Sequence, residues 1–149
     1  MPPGFTASLR GVPYCPESTI AQLGATGYSG RSELASPACP SASRVGSVDA
    51  GAGAGTHQVY VDGTVYLAGP YRGAPVSFAV VTPAVSGPYD LGNVVNRVAV
   101  DVDPTTAAVT AVSDPLPQLL DGVPLRLRAL LIDLDRKNFT LNPTSCGQL

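Results

Sequence analysis

The sequence predicts an all-β fold: a β-sandwich of antiparallel strands behind an irregular N-terminal segment that a disulfide ties down. Runs of alternating apolar and polar residues recur about every eight to twelve positions, the spacing of sandwich strands. Sixteen glycines and fifteen prolines punctuate them, many for a helical protein and suited to strands joined by turns. At 149 residues the chain fits one domain with a real core.

Residues 1–43 read as a loop-rich lead-in packed on that domain, and residues 44–149 as the β-sandwich core. Within the lead-in, "CPESTIAQL" carries one short helix: Pro16 suits a first turn, and Glu17 favours a helix N-terminus. "GATGYSGRSELASP" has turn residues and little periodicity, so it reads as irregular.

From Arg44 the texture is strand and turn. "RVGSVDA" is a strand and "GAGAGT" a flexible loop. "HQVYVDGTVYLAG" reads as a hairpin turning at Asp62-Gly63, because Asp-Gly between alternating apolar residues is a strong short-range hairpin signal. "VVNRVAVDVDPTTAAVTAVSD" reads as a second hairpin. Val94, Val98, Val100 and Val102 share one face, Asn96 interrupts it, and Arg97 and Asp101 point the other way. "DPTT" is its turn, with Pro104 fixing φ. "PLPQLLDGVPL" is too proline-rich for a central strand and reads as a connector with at most one helical turn. In "LRLRALLIDLDR" the apolar face switches near Ala129 and Leu130, as a β-bulge or a crossing between sheets would make it.

Composition excludes several function classes. Net charge is −2 with 13% charged residues, leaving no electrostatic footprint for nucleic acid. No apolar run is long enough to insert as a spanning helix, and Pro83 interrupts the most apolar stretch. "MPPGF" has neither the charged start nor the apolar core of a secretion signal, so the expectation is a cytosolic chain or a piece of a longer precursor. Three cysteines without a C-x-x-C pair, and one histidine, do not make a zinc site. Structural disulfides in an extracellular protein fit better. Cys15 and Cys39 flank the irregular segment and are expected to pair, with Cys15–Cys146 and Cys39–Cys146 left open. Cys146, the odd one, is expected to be exposed and unpaired within these residues.

The sequence suggests no catalytic residue and no cofactor. "GAGAGT" is followed by a strand pattern, not by the helix and lysine of a phosphate loop, and His57 lacks a G-x-S-x-G partner motif. Asp101, Asp103, Asp133 and Asp135 form two i, i+2 pairs that adjacent strands would present to calcium; solvated edge carboxylates are the plainer reading. Tyr60, Tyr66, Tyr71 and Tyr89 would contact a glycan if they formed a strip, whereas buried tyrosines are commoner.

Four ordered blocks complete the reading: "CPSASRVGSVDAGAGAG", "VYLAGPYRGAPVSFAVVTPAVSGPYDLGNVV", "VDPTTAAVTAVSDPLPQLLDGVPL" and "LDRKNFTLNPTSC". Together they resemble a domain of large, predicted secreted proteins of high-GC Gram-positive bacteria, over nearly the whole chain. The resemblance implies a long extracellular or cell-surface protein of β-rich segments, with a partner for Cys146 further along it. It carries no catalytic or ligand residue to any position here. The function expected is a non-catalytic structural or adhesive module whose partners are neighbouring modules of the same or an identical chain. A carbohydrate- or calcium-binding module, with surface glycan as partner, is the alternative.

Overall fold

The computed structural model describes residues 5–53 and 56–141. In chain order they form β1 (Thr6–Ala7), α1 (Glu17–Leu23), α2 (Gly30–Ala35), β2 (Arg44–Ala52) and β3 (Val59–Ala68). β4 (Val76–Ser86), β5 (Tyr89–Val102), β6 (Val109–Ser113), β7 (Leu119–Leu120) and β8 (Val123–Pro124) follow. The last two are β9 (Leu127–Asp133) and β10 (Thr140–Leu141).

Six strands lie in the order β6-β5-β4-β3-β2-β9, every neighbouring pair antiparallel. The sheet curls until residues of both its edge strands line one cavity. Two-stranded ladders, β1–β10 and β7–β8, accompany it. The antiparallel β class is as the sequence predicts. A second large sheet facing the first, as in a sandwich, is not among the described residues; helices cover one face and the curl encloses the other.

Strand alternation decides which residue serves which face. Tyr66, Ala68, Ala79 and Val81 point outward, where Ile20 and Leu23 of α1 and the Cys15–Cys39 disulfide cover them. Val48, Val65, Leu67, Val76, Phe78, Val80 and Val100 point inward. Phe139, from the segment after β9, packs edge-on against Phe78 at 6.2 Å between ring centres and closes one end of that inner core. A two-pronged Arg44–Asp135 pair (2.9 and 2.6 Å) and Arg136, which donates to the carbonyls of Ala42 and Arg44, anchor the same segment.

Three expectations need correction. β3 runs unbroken through Asp62-Gly63, so no hairpin forms there. Gly63 sits where the backbone of β4 and the Val48 side chain approach closely, and a Cβ would collide with the carbonyl of Val81. The hairpin made by an Asp-Gly step is the other one, β7–β8, where Asp121 (φ 48°) and Gly122 (φ 75°) take the two left-handed conformations of a type I′ turn. That hairpin replaces the helical turn expected in the proline-rich connector. Finally, "GRSELA" is helical: Ser29 caps α2 by accepting from the Ser32 N–H, and Asp90 of β5 accepts from the N–H groups of Gly30 and Arg31.

Other readings hold. α1 follows Pro16 and buries Ile20 and Leu23 on one side. The β5–β6 turn is closed by Asp103, whose Oδ1 accepts from the N–H groups of Thr105 and Thr106. The face switch in β9 is a bulge: Ala52 faces Leu127 while Gly51 faces Ala129, so Arg128 is the extra residue.

Candidate functional site

The bulge at Arg128 has a consequence for the inner face. It brings Leu127, Leu130 and Ile132 to the same side despite their opposite phase in sequence. With Leu125 they form one wall of an apolar trough of about 280 Å³. Val94 and Val98 of β5 and Ala111 of β6 form the opposite wall, and Ala50, Val61 and Val80 the floor. Leu116 and Pro117 of the connector stand at the mouth.

Only Thr82, Asn96 and Ser113 bring polar side chains to the lining. Asn96 donates through Nδ2 to the Asp114 carbonyl at 3.0 Å, which answers the break it makes in the valine pattern. No lining side chain titrates, so this surface offers contact area and no acid–base chemistry. Leu130 and Ile132 remain 40% and 47% exposed at the rim. Fully covering a leucine or isoleucine stabilises by about 1.5–3 kcal/mol, so the rim alone offers roughly 2 kcal/mol to a partner that buries both.

The rim is also a sheet edge. Among the described residues β9 pairs only with β2, and its Ala129-Leu130-Leu131-Ile132 run has no charge and no proline. Leu131 points to the outer face and is 59% exposed. Natural edge strands are commonly guarded by charge, proline or bulges against pairing with another chain. Here the bulge at Arg128 lies at one end and Asp133 at the other, and among the described residues no strand pairs with the apolar run on the side away from β2.

The residues singled out by the sequence lie elsewhere. Asp101 is on β5 and Asp133 on β9, strands separated by β4, β3 and β2, so the two aspartate pairs do not sit on adjacent strands. Asp103 caps its turn, and Asp135 is held below the usual carboxylate range by Arg44. Among the described residues no three or more His, Cys, Asp or Glu converge as a metal site. Tyr60 and Tyr89 are exposed near the starts of β3 and β5, Tyr66 is buried under the helices, and Tyr71 stacks on Arg97; the four make no strip. His57 is exposed in the β2–β3 loop. Cys15 and Cys39 are disulfide-bonded and buried. Cys146 lies outside the described residues.

Carboxylates that the sequence did not single out do meet. Asp49 of β2 and Asp62 of β3 are directly opposite, and sharing a hydrogen bond with Asp62 raises the pKa of Asp49. Strand register could have found this pair, had the hairpin not been placed at Asp62. Glu33 is buried beneath α2, and desolvation raises its pKa against the opposing hydrogen bond from the Ala38 N–H.

No helix among the described residues is long and apolar enough to cross a membrane. Compared with protein-family models, curated proteins and solved structures, the chain matches none.

Proposed function

We propose that this chain is a non-catalytic structural or adhesive module of an extracellular bacterial surface protein, holding protein neighbours through the trough and its rim. The observation that carries the reading is the open apolar trough bordered by β9, which among the described residues pairs only with β2. Its lining suits an apolar protein surface better than a hydroxyl-rich or charged ligand. The buried disulfide is compatible with an oxidising compartment, and the sequence resemblance to secreted bacterial chains supports the same location.

An apolar dye, anilinonaphthalene sulfonate, tests the trough directly. Its fluorescence should rise on binding to the folded chain and fall when Ala111→Asp places a charge in the wall. A dye response unchanged by that substitution would remove the trough from the argument. Carbohydrate binding is the second reading, because Tyr60 and Tyr89 are exposed. A glycan array decides it: a bound glycan lost in Tyr60→Ala or Tyr89→Ala would replace the first reading, and an empty array is the expected result.

A further inference from the structure

Resting on that reading, we propose that the connector between β6 and β9 is a strap that gates the trough, and that a protein neighbour enters when the strap lifts. β6 stands in one wall of the trough and β9 in the other, so the chain that joins them passes from wall to wall. Leu116, Pro117 and Leu125 of this connector line the trough on the way. With the strap seated, the trough measures about 280 Å³, room for only a few side chains. A stable protein neighbour covers about 800 Å² of its partner, so docking needs a wider mouth than the seated strap leaves.

The strap is pinned at both ends and free between them. At the β6 end, the Asp114 N–H donates to the Arg97 carbonyl at 2.8 Å and its own carbonyl accepts from Asn96. The Asp114 carboxylate also holds the Tyr71 hydroxyl at 2.6 Å and Arg72 at 2.9 Å. At the β9 end, the Arg126 carbonyl accepts from the Gly53 N–H at 3.0 Å. Between these pins, among the described residues, residues 115–125 hydrogen-bond only to one another, through the β7–β8 ladder and the Leu125 N–H to the Gln118 carbonyl. Pro115, Pro117 and Pro124 fix φ in its arms, so the hairpin moves as one stiff piece. Its tip is seated by half-buried Leu120, which with Asp121 borders a hollow of about 380 Å³ against the α1–α2 loop and the start of β5. Lifting the tip therefore breaks no hydrogen bond to the body, which places the strap at the low end of local stability.

Titration of the whole chain with anilinonaphthalene sulfonate tests the strap, because Leu120 seats it without lining the trough. A site open in only a fraction of molecules binds more weakly by that fraction. Leu120→Asp hydrates the seat and leaves the trough lining unchanged, so it should tighten dye binding by at least about threefold. The fold should tolerate it, because Leu120 hydrogen-bonds only within the hairpin. The gain should vanish when Ala111→Asp is added, which places the extra dye in the trough. Binding that is unchanged or weaker in Leu120→Asp, or a gain that survives Ala111→Asp, overturns the strap. The two ideas fail differently: dye binding that falls with Ala111→Asp and ignores Leu120→Asp refutes the strap alone, and binding that ignores both refutes the docking reading as well.

Discussion

Arg97, in the middle of β5, pairs with Glu17 at the start of α1, 80 positions away in sequence. The arginine side chain is 7% exposed and the glutamate 64%. Arg97 also donates to Ser77 Oγ at 2.7 Å, and its guanidinium carbon lies 4.3 Å from the centre of the Tyr71 ring. One buried cation thus gathers α1, β4 and the β3–β4 loop onto the outer face of the sheet.

Removing the two partners should not cost the same. Glu17→Ala leaves a buried guanidinium with less compensation, which costs about 1–3 kcal/mol. Arg97→Met leaves a glutamate that water can hydrate and fills the space with apolar volume, a change that is often neutral for buried ion pairs. Urea unfolding should therefore rank Glu17→Ala as the more damaging. The reverse order would mean that packing on Tyr71 outweighs the charge pair.

Asp90 gives stability a dependence on acid. The Ser29 hydroxyl first, then the N–H groups of Gly92, Arg31 and Gly30, hold its carboxylate well below the usual range. Because the folded pKa is depressed, the stabilisation is fully present above the unfolded value of about 4 and drains away as pH falls below it. Glu33 acts oppositely: its raised pKa makes acidification relieve a strain that burial imposes. Asp90→Asn should flatten the loss of stability below about pH 4, followed by chemical unfolding at several pH values. An acid profile identical to that of the parent chain would show that the α2 cap is energetically idle.

The Cys15–Cys39 bridge spans a sequence separation of 24 that includes α1 and α2. Its loss should cost about 3 kcal/mol on the chain-entropy account. The cost should fall unevenly: hydrogen exchange should show α1 and α2 opening in Cys15→Ser/Cys39→Ser while β3, β4 and β5 stay protected. Uniform loss of protection would instead make the helical layer part of one cooperative unit with the sheet.

Two glycines that each follow an aspartate should resist substitution for different reasons. Gly63→Ala forces a methyl group against the backbone of β4, an overpacking that typically costs about 1–3 kcal/mol. Gly122→Ala meets no atom within 4 Å and pays only for its left-handed backbone, about 1–2 kcal/mol. Thermal melts should therefore show a recoverable difference: Gly122→Asn, which tolerates that conformation, restores most of the loss, whereas Gly63→Asn is worse than Gly63→Ala.

The sequence by itself determined the antiparallel β class, the β5–β6 hairpin with its Asp103 turn, α1, and the change of face in β9. Each is written in residues a few positions apart, where alternation and turn chemistry act. The Cys15–Cys39 pairing was also legible, because an irregular segment between two cysteines needs a closure. Tertiary structure alone decided which Asp-Gly step turns, since Asp62-Gly63 and Asp121-Gly122 carry the same local signal and only the first lies under β4. It decided α2 as well: six residues are too few to hold a helix, and Asp90 caps it from 60 positions away. The trough belongs to the same category. Its walls come from β5, β6 and β9, and only the curl that brings the two sheet edges toward each other turns separate apolar faces into one site.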